Sequence, residues 1–333
     1  MLKQSAQLWI WGVRESLHVH RCIVFLVLDN SKALGRSILQ CLLLNGGILL
    51  GSILAWEGAL APVVGWLMRN LVAPCLGALP ARAAEALLHL GYQGLWLLPV
   101  YLVTMLVSCG IYNDIARTAY MVKQQQLQQQ QLQQQRKGGQ ATAGHRPVGQ
   151  SPAGGGGGGG LENVAQEVYR VVLFCVFFAE ISTVGRLPYV GQALNVLLLS
   201  WLYAYYCYDY KWGLQGVHLT ERLAYFERRW AFFAGFGLPM ALSTVLLSFY
   251  QGAAVLAILF PVYILVSCDS DVNAVHDRIV GKAGTSSLRH LPIFALALWP
   301  TQRIVHLVTG GSGAAPAKLA AADSGGAAAA RAM

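Results

Sequence analysis

Residues whose types and spacing could do chemistry are few in this chain, and most lie between Glu180 and Pro239. Gly235, Phe236, Gly237 and Pro239 form a segment that could break a helix and leave backbone N–H groups free for an anion. The same residues also describe a capped turn, in which glycine permits the bend and Pro239 opens the next helix. No cation stands near them within the apolar run, which favours the turn. Glu180 is an ionisable residue well inside an apolar run, and an intramembrane carboxylate is by default a functional candidate. Arg186, six residues on and near a hairpin tip, equally makes it one half of an ion pair. Tyr208, Tyr210 and Trp212, with Arg228, Arg229 and Trp230, are types that collect where hydrocarbon meets head groups. The rings have an apolar body and a polar edge, and the guanidiniums hold lipid phosphates. His18 and His20 form an isolated H-x-H without metal-ligand spacing around it, so no metal site is expected.

The usual catalytic signatures are missing from the sequence. It has no G-x-S-x-G, H-E-x-x-H, Walker or Cys/His zinc pattern, so neither an enzyme nor a cofactor is expected. The glycine tract Gly154–Gly160 matches a nucleotide-loop pattern only trivially, because no strand precedes it. Seven scattered cysteines without a C-x-x-C read as buried thiols.

The elements that must position these residues are membrane helices. Apolar residues make up 55% of the chain, only 12% is charged and the mean hydropathy is +0.47. So few ionised groups cannot cover a water-facing surface of this size. The net charge of +9 does not point to nucleic acid. Lys and Arg concentrate in the first 37 residues and in residues 112–170, beside apolar spans, which is the positive-inside pattern. Both termini are therefore expected in the cytosol, against anionic lipid.

The expected architecture is an all-α membrane bundle of two long spans, two short hairpins and interfacial helices. A basic segment (1–37), in which Trp9, Trp11 and Val13 suggest a stretch lying on the membrane surface, precedes the first two spans (38–120), read at Ile38–Trp56 and Leu87–Ile111, with a kink at Pro99. A Gln/Gly-rich insert (121–163) is expected to be disordered, although its glutamine run could be transiently helical. The hairpin region (164–308) pairs Val171–Val184 with Tyr189–Tyr206, and Ala231–Tyr250 with Ala253–Cys268. Spans this short either cross the bilayer or dip in and return. Between the pairs, Leu219, Leu223, Phe226 and Trp230 share one face of a helix over 217–230, read as lying in the membrane surface. An Ala/Gly-rich tail (309–333) is expected to be disordered.

Several segments together resemble the etoposide-induced protein 2.4 family, whose distant bacterial relatives are the CysZ sulfate permeases. In order they are Gln40–Gly47, Leu98–Ala116, Leu202–Trp212, Glu221–Ala241 and Leu259–Ser267, of which Glu221–Ala241 is the most specific. The resemblance implies a non-enzymatic, multi-pass protein of the endoplasmic reticulum membrane acting in autophagosome formation or progression. It also implies links to growth control or cell death, with membrane or cytosolic autophagy proteins as partners. The bacterial relatives imply an alternative, an anion transporter or channel for sulfate-like solutes.

Overall fold

The computed structural model describes residues 2–29, 32–137, 160–281 and 291–308. The glycine-rich half of the expected insert (138–159) and the Ala/Gly-rich tail (309–333) lie outside the described residues. Helices account for nearly all of what is described, and no strand occurs among these residues. In chain order they are α1 (Leu2–Ser16), α2 (His20–Leu28), α3 (Ala33–Cys75) and α4 (78–137). Then come α5 (Gly160–Val184), α6 (Gly191–Leu214), α7 (Leu219–Arg228) and α8 (Trp230–Val245). Last are α9 (Phe249–Asp269), α10 (Val272–Val280) and α11 (Ala295–Val308).

Three of these, α3, α4 and α9, are long and apolar enough to cross a membrane. α3 runs well beyond Trp56, and its 43 residues would measure roughly 65 Å as a straight helix, about twice a bilayer core. The helical hydrogen bonding widens into π turns at Trp56–Leu60, Met68–Val72 and Tyr92–Leu97. Each of these stretches ends two residues before a proline: Pro62, Pro74 and Pro99. Proline has no N–H for the carbonyl four residues back, and a wider turn lets its ring pass without breaking the helix. A fourth wide stretch, Leu43–Leu50, contains the flexible pair Gly46–Gly47. At its other end α4 does not stop at residue 120. Helix continues through the glutamine run to Lys137, in keeping with the helix propensity of Gln, Leu and Lys.

The chain divides into two compact units. One, called here the lipid-facing unit, comprises His20–Val122 and Leu242–Leu265. Its small core joins Leu49, Ile53, Leu97 and Ala254, with Tyr92, Tyr101 and Tyr250 packed on it. The most apolar windows of α3 and α4 are only 22% and 17% buried. Leu43, Leu54, Trp66, Leu95 and Leu106 all point outward. Such surfaces have no favourable solvent except hydrocarbon, so this is a membrane protein. Its polar side chains turn inward instead. Asn45 Nδ2 donates to Ser108 Oγ at 2.8 Å, bridging α3 and α4. Pro261 cannot bond the Ala257 carbonyl on its own helix. That acceptor takes the Tyr112 hydroxyl at 3.0 Å and the Cys41 thiol at 3.5 Å.

The other, the aromatic unit, comprises Met1–Val19, Lys123–Ala241 and Val266–Met333. Its interior is built of rings. Phe226 stacks on Phe233 with centroids 4.2 Å apart, and Tyr205 meets Phe174, Trp212, Phe226 and Phe294 within 6 Å. Glycines in α8 let neighbouring backbones come very close. A Cβ on Gly235 would sit 2.0 Å from the Trp9 carbonyl oxygen of α1, and one on Gly237 would sit 1.8 Å from the Ser200 carbonyl oxygen of α6.

Candidate functional site

Within the aromatic unit, charge is concentrated around the C-terminal end of α6. Asp209 is buried, and its two carboxylate oxygens take different guanidiniums. Arg222 of α7 approaches Oδ1 at 2.6 Å and Arg170 of α5 approaches Oδ2 at 2.8 Å. Arg222 also donates from Nε to the Val217 carbonyl at 2.8 Å, fixing the α6–α7 turn. One residue pair along α6, Lys211 points the other way and donates to the carbonyls of Ser270 at 2.8 Å and Ser267 at 3.3 Å. A cation on the last carbonyls of α9 complements the negative end of that helix. Burial pushes the Lys211 ammonium below its ordinary range, while nearby Cys268 and Asp271 pull it upward. Lys123 and Asp269 form a second ion pair at the same helix end.

A neighbouring group joins α7 to α10. The Tyr225 hydroxyl and Arg229 Nη2 both donate to Asn273 Oδ1, at 3.0 and 2.8 Å. The Arg229 guanidinium also lies over the Tyr225 ring at 3.9 Å. Burial pushes the Tyr225 hydroxyl up to about 12, with Arg229 opposing. Burial pushes Arg229 down, and His276 falls for the same reason with Arg229 adding to it. Tyr208 donates to Ser270 Oγ at 2.8 Å, and Glu227 accepts the Phe294 backbone N–H at 3.0 Å. Chemically, most of these donors and acceptors are spent on protein partners, with Arg229 Nε and His276 Nδ1 the exceptions in this group. The arrangement is a lock among α5, α6, α7, α9 and α10.

A profile of the family described as "Sulfate transporter CysZ/Etoposide-induced protein 2.4" matches residues 21–263. The chain belongs to this family. A "Protein EI24 homolog" of Arabidopsis thaliana is 36% identical over 89% of this chain and 92% of its own length. One of the same name from Dictyostelium discoideum is 25% identical over 86% of this chain and 80% of its own. "Ectopic P granules protein 4" of Caenorhabditis elegans is 28% identical over 33% of this chain and 35% of its own. No solved structure matches the chain significantly.

In this family member Asp209, Lys211, Arg222, Tyr225 and Arg229 of the lock lie in two of the segments that carry the resemblance, Leu202–Trp212 and Glu221–Ala241, but those segments are used differently from what the sequence suggests. Tyr208 and Trp212 are buried in the ring cluster, not presented to head groups. Tyr210 is half-buried. α7 turns Leu223, Tyr225, Phe226 and Glu227 into protein, so its apolar face covers a core and not a lipid surface. Arg228 remains exposed, Arg229 is half-buried on Asn273, and the half-buried Trp230 accepts the Trp201 indole N–H through its carbonyl at 3.0 Å. An amphipathic period alone does not say whether lipid or protein covers the apolar side.

The segment Gly235–Pro239 is neither a broken helix nor a turn. α8 runs unbroken through Gly235, Phe236, Gly237 and Pro239, and the glycines serve backbone-to-backbone packing. Glu180 and Arg186 are not brought together either. Glu180 is half-buried on α5, Arg186 is exposed in the turn before α6, and among the described residues no ion pair or hydrogen bond joins them. The lock also uses Arg170, Asp209 and Lys211, which no sequence motif singles out, and Arg222, which the amphipathic period puts on the polar surface of 217–230. A signal for one was present. Asp209 stands among five tyrosines and a tryptophan (203–212), and a carboxylate buried there must find a cation.

Proposed function

We propose that this family member is a non-enzymatic, multi-pass protein of the endoplasmic reticulum membrane that acts in autophagosome formation or progression. The observation that carries this reading is the near full-length similarity to proteins named EI24 homologs, together with the family resemblance of the Glu221–Ala241 block. The non-enzymatic part is supported by how the buried polar groups are used. Asp209 and Lys211 are held by protein partners in a lock that joins helices, not in a cleft open to substrate. On this reading both termini are cytosolic, the bilayer's anionic head groups and autophagy proteins are the partners, and nucleic acid is not. Any role in growth control or cell death follows from the same membrane activity.

The test is genetic. Deleting the gene and restoring it with wild type or with an Asp209→Asn variant should, respectively, block autophagic flux, rescue it and fail to rescue it. Unchanged flux in the deletion strain would refute the reading.

A second reading is favoured by the words "Sulfate transporter CysZ" in the family description. On that reading the lipid-facing unit conducts a sulfate-like anion. Uptake of sulfate into proteoliposomes above the level of empty vesicles would support it, and no excess uptake would remove it.

A further inference from the structure

α1 precedes the region matched by the family profile, yet it is built firmly into the aromatic unit. Gly12 lies against the Phe232 carbonyl and Gly235 against the Trp9 carbonyl, so α1 and α8 pack with no room for a Cβ on either side. Arg278 of α10 lies 5.6 Å from the Trp11 ring, and Arg14 lies 4.9 Å from the same ring. Leu8, Gly12, Glu15 and Ser16 form the face that is buried.

The opposite side of α1 is what needs an occupant. Leu2, Ala6, Trp9, Ile10, Val13 and Leu17 recur at spacings of three and four, which gathers them within an arc of roughly 100°. Leu2, Trp9, Ile10 and Leu17 are exposed, and a surface hollow of about 370 Å³ runs beside them, bounded also by Arg14 and His18. Lys3 and Arg14 stand along one edge of the stripe and are exposed. Glu15 is the one carboxylate within residues 1–28, and it is buried. An apolar stripe with a tryptophan, bordered by cations and free of exposed acid, is complementary to a lipid monolayer carrying anionic head groups. Only residues 18–32 separate this stripe from Ala33, where the first apolar helix starts, so α1 is tethered to a membrane.

We infer that α1 is the membrane-surface helix of this protein. Its Leu2–Trp9–Ile10–Val13–Leu17 stripe enters the head-group boundary, and Lys3 and Arg14 bind the phosphates of anionic lipids. Of the two surface-lying segments that the sequence suggests, 217–230 turns its apolar face into protein and 2–17 keeps the role. A lone α1 would be a weak surface binder, but rigid docking onto α8 presents the stripe without an ordering cost. This inference rests on membrane residence alone and is independent of any role in autophagy.

The test uses the full-length protein in nanodiscs, with the exposed cysteines Cys75, Cys109 and Cys175 replaced by serine and a fluorophore on I10C. Nitroxide-bearing lipids should quench the fluorophore, and aqueous iodide should not. Nitroxide phosphatidylserine should quench more strongly than nitroxide phosphatidylcholine. Each basic residue at an anionic surface is worth ~1 kcal/mol, about fivefold in lipid occupancy, so K3Q/R14Q should remove the difference. Because Lys3 and Arg14 are exposed, that variant should keep its fold, checked by its melting temperature. Quenching by iodide alone would overturn the inference. So would protection from both quenchers combined with dipolar coupling between two spin-labelled copies, which would make the stripe an interface between copies of the chain. Equal quenching by the two lipids in the wild type would overturn the anionic selectivity.

Discussion

The two units bury opposite kinds of side chain. In the lipid-facing unit, leucines and valines point outward and the interior holds a thin line of polar contacts: Asn45 with Ser108, and Tyr112 with the carbonyl that Pro261 leaves open. In the aromatic unit, rings fill the interior and charges are buried with them: Asp209 between two arginines, and Lys211 on the end of α9. The first arrangement makes sense where hydrocarbon is the solvent, because apolar side chains gain nothing by leaving it and polar groups must find each other. The second follows the rules of a water-soluble core, in which every buried ion needs a partner. One chain therefore folds by two sets of rules, and substitutions should have unequal effects in the two units.

The largest effect is expected from Asp209→Ala. It strands two guanidiniums against a buried ring cluster, and breaking one side of such a group costs about 3–5 kcal/mol. Arg170 is a third exposed, which argues for the lower end. Melting of the purified protein, followed by intrinsic tryptophan fluorescence, should show the loss. A smaller but clear effect is expected from Gly237→Ala, whose Cβ would collide with the Ser200 carbonyl oxygen. Overpacking of this kind costs ~3 kcal/mol at the upper end of its usual range. Gly58→Ala is the matched control in the lipid-facing unit, because a Cβ there meets nothing within 4 Å. Its melting temperature should match or slightly exceed that of wild type, because alanine favours a helix over glycine.

Alkaline pH probes the aromatic unit. The folded-state pKa of Tyr225 lies at about 12, above the ordinary 10, so its contribution is full below pH 10 and is lost as pH rises through 12. At pH 11 the loss is about 1 kcal/mol relative to Tyr225→Phe. Comparing these two proteins cancels the opposite trend of Lys211, whose depressed folded-state value makes folding more favourable as pH rises. Denaturation midpoints at pH 8 and pH 11 would check the sign. An effect of comparable size, roughly 0.6–1.7 kcal/mol, is expected from Asn45→Leu, because interhelical hydrogen bonds in membranes are individually weak. A loss as large as that of Asp209→Ala would erase the contrast between the units.

The sequence made the lipid-facing unit readable and the aromatic unit much less so, for a physical reason. Where hydrocarbon is the solvent, a long run without charge is itself the structural signal, and Ile38–Trp56 and Leu87–Ile111 fall inside α3 and α4. Their lengths were less legible, since π turns carry the helix past Pro62, Pro74 and Pro99. In the aromatic unit, tyrosines and tryptophans at helical spacing describe a ring-packed core as well as they describe a head-group belt. Tyr208 and Trp212 are core. Gly235 and Gly237 give no local hint that they exist to admit the backbones of Trp9 and Ser200, because those partners lie far away in sequence. Within the lock, Asp209, Arg170 and Arg222 come from three different helices, and only the oddity of a carboxylate among rings points to them.

The most direct test of the contrast is reactivity at Leu106, which is 73% exposed on α4 with no protein over it. L106C, with Cys75, Cys109 and Cys175 replaced by serine, would be treated with a water-soluble maleimide in intact membranes and again after solubilisation in denaturing detergent. The labelling of the same background without L106C, which keeps the buried Cys22, Cys41, Cys207 and Cys268, would be subtracted. Lipid solvation predicts no labelling in the membrane and full labelling afterwards. Full labelling in intact membranes would mean that water covers this face, contradicting the account.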